Sequence, residues 1–189
     1  WIGYLSTTGV YGDHAGAWVD EDTALTPCST RGIARVAAEA AWREIAPSRL
    51  HVFRLAGIYG PGRGPFAKLR AGIAQRIIKP GQVFSRIHRD DIGAALHAAI
   101  CSGVGTRIFN LCDDDPAPPQ DVLRYAAELL GMDPPPEVAF EQAEMSAMAR
   151  AFYADNKRVR NDRIKRELDW QPRYPDYQSG LRAVLDAEG

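Results

Sequence analysis

The sequence predicts a layered α/β fold built on parallel strands, and three segments carry that prediction. Residues 2 to 6 form a short apolar run ending in the polar turn Ser6-Thr7-Thr8-Gly9, the pattern of a strand buried on both faces. Residues 31 to 46 place Ile33, Val36, Ala37, Ala40, Ala41 and Ile45 at helical spacing, with Pro47 as the stop. Leu50 to Leu55 is a second strand. A helix joining two buried strands makes a right-handed crossover between parallel neighbours. Ligands of such sheets sit beyond the carboxyl ends of the strands. Here those ends are Ser6-Thr7-Thr8 and the segment from Ala56 to Gly62.

The other elements follow in order. The segment from the first strand to Pro27 reads as a loop. A helix is expected near Phe66 to Gln75, with extended pieces at Ile77-Ile78 and from Val83 to Ile87. The next helix runs from Asp90 to about Cys101, its two leading aspartates suiting the positive end of the helix dipole. Arg107 to Cys112 is another buried strand, closed by Asp113-Asp114-Asp115. After it come a helix near Gln120 to Leu130, the linker Pro134-Pro135-Pro136, a short strand from Glu137 to Phe140, and three helical stretches between Glu141 and Ala187. The prolines between 116 and 136 mark off a smaller lobe packed on the sheet.

Composition narrows the function. The 189 residues carry 23 Lys+Arg against 24 Asp+Glu, a net charge of -1, and are 46% hydrophobic, a globular balance. This balance gives no electrostatic footprint for nucleic acid or an anionic membrane. No apolar run reaches the ~18 residues that span a bilayer. Cys28, Cys101 and Cys112 are odd in number and lack CxxC spacing, so neither a disulfide framework nor a zinc site is expected, and a reducing, cytoplasmic compartment is. The chain opens at Trp1 inside an apolar run, with no initiator Met and no signal pattern, and an upstream portion is therefore expected.

Four strings occur in fixed order: Tyr4-Leu5-Ser6-Thr7-Thr8-Gly9-Val10-Tyr11-Gly12, Phe53-Arg54-Leu55-Ala56-Gly57-Ile58-Tyr59-Gly60-Pro61-Gly62, Ile87-His88-Arg89-Asp90-Asp91-Ile92 and Leu168-Asp169-Trp170-Gln171-Pro172. Together they resemble the extended short-chain dehydrogenases/reductases of the NAD-dependent epimerase/dehydratase kind, over nearly the whole chain. The resemblance implies the C-terminal part of a Rossmann-like NAD(P)-binding domain, with its partial parallel sheet and helices, at residues 1–64 and 88–115. It assigns residues 65–87 and 116–189 to a small, mostly helical substrate-binding lobe. It further implies NAD or NADP as cofactor and hydride transfer on a polar substrate such as a nucleotide sugar. A homodimer through residues 31 to 46, whose alanines allow close helix approach, is a further implication.

Two departures from the family pattern matter. The glycine-rich phosphate loop does not occur in these residues. Gly57-x-x-Gly60-x-Gly62 is no substitute, because it leads into Arg63-Gly64-Pro65 rather than into a helix. Where the family has Tyr-x-x-x-Lys, this chain has Arg31-Gly32-Ile33-Ala34-Arg35, resembling atypical members that have lost the pair. A guanidinium keeps its proton at every working pH, so Arg31 cannot be the acid/base. Two arginines one helical turn apart can instead hold a phosphate or carboxylate.

By the resemblance, Thr7 orients the substrate while Arg31 and Arg35 stabilise negative charge. Ser6, Gly57, Ile58 and Tyr59 border the cofactor, and Thr8, Arg63 and Arg86 meet the substrate. Each residue also has a simpler role. The hydroxyls of Ser6, Thr7 and Thr8 can satisfy turn backbone, the glycines can serve turn geometry, and Tyr59 can be a packed aromatic rather than a replacement acid. Arg63 and Arg86 can be solvated. Arg54, inside an apolar strand, requires a carboxylate or ligand partner, and an internal salt bridge supplies one most simply. His88 with Asp90 and Asp91 reads as a strand-to-helix junction with a capping aspartate, not a metal site. The rival to the enzyme reading is a non-catalytic NAD(P)-binding sensor or interaction protein; a third reading is an inactive fragment.

Overall fold

The computed structural model describes all 189 residues, Trp1 to Gly189. In chain order the elements are β1 (Ile2–Thr7), a 3-10 turn (Thr8–Tyr11), β2 (Trp18–Val19), α1 (Thr30–Ile45), β3 (Leu50–Leu55), β4 (Gly57–Tyr59), α2 (Phe66–Arg70), β5 (Arg76–Ile78), β6 (Arg86–His88), α3 (Arg89–Cys101), β7 (Arg107–Leu111), α4 (Pro119–Leu129), β8 (Glu137–Ala139), α5 (Ala147–Ala154), β9 (Arg158–Val159), α6 (Asp162–Leu168) and α7 (Tyr177–Glu188). No helix is long and apolar enough to cross a membrane.

The central sheet has the order β1-β3-β7 with all strands parallel, Ile2 to Thr7 facing Leu50 to Leu55, and His51 to Leu55 facing Arg107 to Leu111. Every residue of β3 is buried, as the middle strand of a covered sheet requires. Short parallel pairs β2-β9, β4-β6 and β5-β8 surround it. The expectation that the first strand is buried on both faces is corrected. β1 pairs only with β3, and Gly3 and Leu5 are exposed while Ser6 is buried.

Ser29 caps α1 by accepting the Gly32 N–H at 3.0 Å. The helix buries Gly32 and Glu39 and leaves Ile33 57% and Ile45 70% exposed. Periodicity located the helix but not its covered side. The helix expected to reach Gln75 ends at Arg70, because Gly72 turns the chain with φ +67°. The expected loop before Pro27 contains β2, at two residues too short to signal itself.

Two clusters form most of the core. Under the sheet, Phe53, Leu55, Ile87, Phe109 and Leu111 pack with Ile164 and Trp170, which bring the C-terminal segment back to the sheet. Beneath α4 and α7, Tyr59, Phe66, Leu69, Val122, Ala126, Tyr177, Leu181 and Val184 form the second. Gly180 is required there, since a Cβ at that position would come within 1.8 Å of the Tyr59 hydroxyl oxygen.

A polar network runs through the interior beside the apolar clusters. Arg54 on β3 meets Glu39 on α1 through two bonds, Nη2 to Oε2 at 2.8 Å and Nε to Oε1 at 3.2 Å, and both residues are 2% exposed. The arginine therefore has the internal partner that its position demanded. Ser6 donates its hydroxyl to Glu39 Oε1 at 2.6 Å. Arg54 Nη1 donates to the Tyr11 hydroxyl at 2.9 Å, which donates in turn to Asn110 Oδ1 at 2.7 Å. Burial pushes the Tyr11 phenol up to about 12, against the pull of Arg54.

The junction at α3 differs from the expected aspartate cap. His88 Nδ1 accepts the Asp90 N–H at 3.2 Å, and Asp91 turns away to accept Arg173 N–H at 2.7 Å and Tyr174 N–H at 3.1 Å. The His88 ring packs edge-on to Tyr59 at 5.3 Å and against Tyr174 at 4.2 Å. Burial pulls its pKa below the ordinary 6.5.

Removing one partner of the buried pair strands the other. Glu39→Ala is expected to lower the unfolding free energy by about 3–5 kcal/mol, measured by urea denaturation; a loss within experimental error would show that Arg54 needs no counter-charge. His88 predicts a pH dependence. Its folded pKa is depressed, so the unfolded chain binds the proton more tightly, and the contribution of neutral His88 is lost as pH falls below 6.5 toward the folded value. Asn keeps an acceptor for the Asp90 N–H and cannot titrate. His88→Asn is expected to lose less stability than the parent between about pH 7 and pH 5. Identical slopes would remove His88 as a source of the dependence.

Candidate functional site

The carboxyl ends of β1, β3 and β7 open on one side of the sheet, and the chain brings several segments there. Ala56 N–H bonds Leu111 O at 3.0 Å, Gly57 N–H bonds Ser85 O at 3.1 Å, and Asp113 N–H bonds Arg86 O at 2.6 Å, placing β4 and β6 above the ends of β3 and β7. The start of α1 lies against the turn after β1, where a Cβ on Gly32 would come within 2.8 Å of Gly9 O. Asp155, which follows α5, ties these pieces together. It accepts the Cys28 thiol at 2.7 Å and the Lys157 ammonium at 3.1 Å, and its carbonyl accepts Gln82 Nε2 at 2.8 Å. Lys157 also donates to Gly12 O at 2.7 Å.

Within this crevice the expected residues separate into free and engaged groups. Thr7 is half-buried at the end of β1, and its Oγ1 accepts Gly9 N–H at 3.1 Å, leaving its own proton to donate. Thr8 opens the 3-10 turn. Ser6 is buried with its hydroxyl committed to Glu39, so its side chain serves the interior. Arg31, in the first turn of α1, is exposed.

Arg35 does not stand beside Arg31 as the two-arginine clamp requires. Its Nη1 donates to the Tyr4 hydroxyl at 2.9 Å and its guanidinium lies 5.9 Å from the centre of that ring, over the strand rather than at its end. Gly57 is explained by packing, since a Cβ there would come within 3.3 Å of Ser85 O. Ile58 is half-buried and packs on the sheet core. Tyr59 is buried among the residues under α7, and burial raises its phenol further from ionisation, which suits a packed aromatic and not an acid. Arg63 is an exposed side chain on a tight turn, its backbone exchanging bonds with Gly60 at 3.0 and 2.8 Å.

Arg86 is the most unusual of these residues. Its Nη1 donates to Phe84 O at 2.8 Å and to Ala117 O at 3.1 Å, and burial pulls its pKa down. Asp113 lies next to it, with Oδ1 accepting Arg86 N–H at 3.4 Å and Oδ2 unpartnered. Burial pushes the Asp113 carboxyl well up, against the pull of the Arg86 guanidinium, and the carboxylate in turn supports the charge on Arg86.

Other residues join this region without any signal in the sequence. Lys79 donates to Tyr153 O. Its ammonium and the Arg150 guanidinium each lie 5.2 Å from the centre of the Phe140 ring. Tyr153 packs on Phe140 at 5.4 Å and on Phe84 at 5.3 Å. Three separate segments supply this cluster, and none carries a motif.

For a dinucleotide, none of these residues forms a glycine-rich strand-to-helix turn able to hold a pyrophosphate; what the strand ends offer is the Thr7 hydroxyl and, at the start of α1, the exposed Arg31. Two cavities of about 190 and 180 Å³ lie along β2, β9 and α6, and several of the charges that line them are already paired, as in Lys165 with Asp114 and Arg163 with Asp22, both at 2.6 Å.

No family model matches the sequence. Protein YeeZ of Escherichia coli K12 is 30% identical over 175 residues, 92% of this chain and 58% of YeeZ. A functionally unknown conserved protein from Silicibacter pomeroyi is 59% identical with a TM-score of 0.94, over 99% of this chain and 66% of its own. A protein from Methylobacillus flagellatus, provisionally described as an NAD-dependent epimerase/dehydratase, is 30% identical with a TM-score of 0.74, over 98% and 63%. The fold recurs in dTDP-glucose 4,6-dehydratase from Bacillus anthracis, solved in complex with NAD, at 20% identity and a TM-score of 0.78, over 97% and 60%. The chain thus spans between 58% and 66% of the length of these proteins.

Proposed function

The chain belongs to the NAD-dependent epimerase/dehydratase family, and from that premise we propose that it takes part in NAD(P)-linked oxidoreduction of a polar, anionic substrate of the nucleotide-sugar class. The observation that carries this reading is the donor hydroxyl of Thr7 at the carboxyl end of β1, where the start of α1, with its exposed Arg31, packs on the turn after the strand. The nicotinamide, when bound, would accept or supply the hydride at a substrate carbon. Thr7 donates its proton in a hydrogen bond to the substrate oxygen, because its lone pair is already occupied by Gly9 N–H. Arg31 stabilises the negative charge that grows on that oxygen. Neither group gives up a proton at working pH, so proton exchange runs through solvent.

The substrate class is supported by the chemistry printed for the related dTDP-glucose dehydratase and by Arg86, a half-buried cation bonded to main-chain oxygens with no carboxylate in ion-pair distance. An anionic ligand would stabilise such a charge. The replacement of Tyr-x-x-x-Lys by Arg31 and Arg35 favours a second reading, a protein that binds NAD(P) without turnover.

The test supplies the protein with NAD+ or NADP+ and with UDP-glucose, UDP-glucuronate or dTDP-glucose, following reduced nicotinamide by absorbance and sugar isomers by chromatography. Turnover is expected with at least one pair, and Thr7→Val and Arg31→Met are each expected to lower kcat/KM by about a hundredfold. Cofactor binding with no product from any pair would replace this reading by the non-catalytic one.

A further inference from the structure

We propose that His97 and Cys101 on α3 form half of a site for a thiophilic divalent cation such as zinc, and that the same pair on a second copy of the chain completes it. The two residues are one helical turn apart, the spacing that puts side chains on one face of a helix. They meet there, with Cys101 Sγ 3.7 Å from His97 Nε2, and both are exposed. Zinc takes sulfur at about 2.3 Å and imidazole nitrogen at about 2.0–2.1 Å, so two such ligands at a tetrahedral angle stand about 3.6 Å apart. The pair already spans that gap. One proton, shared between sulfur and ring, is what the cation replaces: sulfur binds as thiolate, Nε2 contributes its lone pair, and the proton leaves to solvent.

The place of the pair separates it from the crevice residues described above. α1 meets the sheet on the side of Arg54, whereas Ala95 and Ala99 of α3 pack with Phe53 and Leu55, whose side chains leave β3 on the other side. His97 and Cys101 lie on the outward side of α3, away from those alanines. Gly93, Ala94 and Ile100 are exposed with them, and a Cβ at Gly93 would meet nothing within 4 Å. From Gly93 to Cys101 the helix carries no Asp, Glu, Lys or Arg.

Two ligands leave a tetrahedral cation half satisfied. No third His, Cys, Asp or Glu of the chain joins the pair, so further protein ligands have to come from another molecule. A second copy brings an identical pair, and the outward face of α3 lets it approach. Glycine and alanine keep the backbones close, no fixed charge between Gly93 and Cys101 meets its own image, and Ile100, 57% exposed, gains cover. A two-fold axis through the cation then gives two sulfur and two nitrogen ligands, a set that selects zinc over magnesium or calcium.

Cobalt(II) is the probe, because it occupies zinc sites and its bond to a thiolate gives a charge-transfer absorption in the near ultraviolet. It is titrated into the whole chain, kept reduced by a phosphine, with sedimentation velocity on the same samples. The expected result is that absorption, saturating at one cobalt per two chains, together with a doubling of mass that a chelator reverses. Zinc is expected to abolish the absorption and keep the doubled mass. Cys101→Ser and His97→Ala are each expected to weaken cobalt binding roughly a hundredfold, while Cys28→Ser, which removes the other exposed thiol, leaves it unchanged. Both ligand substitutions fall on exposed side chains, and thermal unfolding checks that the variants fold. The proposal is overturned if the parent shows no thiolate absorption, if the absorption survives in Cys101→Ser or disappears in Cys28→Ser, or if cobalt binds one per chain with no change in mass.

Discussion

Arg54 occupies the middle strand of the sheet, where a charge out of water is costly, and the crevice is organised around the way that charge is met. Glu39 reaches it from the crossover helix with two bonds, Ser6 closes on the same carboxylate from the end of β1, and Tyr11 relays the arginine to Asn110 on β7. Asn110 continues the chain outward, its N–H held by Glu21 at 2.7 Å and its side-chain amide donating to Arg160 O at 3.2 Å. Apolar packing alone would let α1 slide along the sheet. A bidentate ion pair fixes one register, which is the specificity that buried polar networks can confer.

That register decides what the crevice can offer. With Glu39 locked over β3, the first turn of α1 falls at the strand ends and Arg35 falls over Tyr4. Of the two arginines in the first turns of the helix, Arg35 is thereby a packing residue and Arg31 faces solvent. The Asp155 junction then fastens the end of α5 to the same helix start through Cys28 and to the turn after β1 through Lys157. The site is therefore framed by two polar hubs, one buried and one at the rim.

Much of this was legible in the residues. β3, β7, α3 and α4 announced themselves because each is long enough to express its own period, and the need of Arg54 for a partner followed from its setting. β2, β4 and β9 did not, because strands of two or three residues have no period to read. The spacing in α1 located the helix but not its covered side, because a stripe of Ile and Ala records amphipathicity and not which surface a neighbour occupies. Lys79, Phe140 and Arg150 left no trace at all, since only the tertiary fold sets β5, β8 and α5 side by side. Ser6 and Arg35 had the right chemistry for a ligand, but partners in the fold had already taken it.

The contact of Tyr59 with Gly180 joins two positions separated by most of the chain, one on the strand that leaves the crevice and one on the last helix. Neither can vary alone. A lineage that acquires a side chain at 180 has no room for the phenol, and one that shortens 59 opens a void that a larger residue at 180 could fill. The two sites should drift as a pair among homologues, so that the mouth of the crevice is coupled to the C-terminal helix by inheritance as well as by contact.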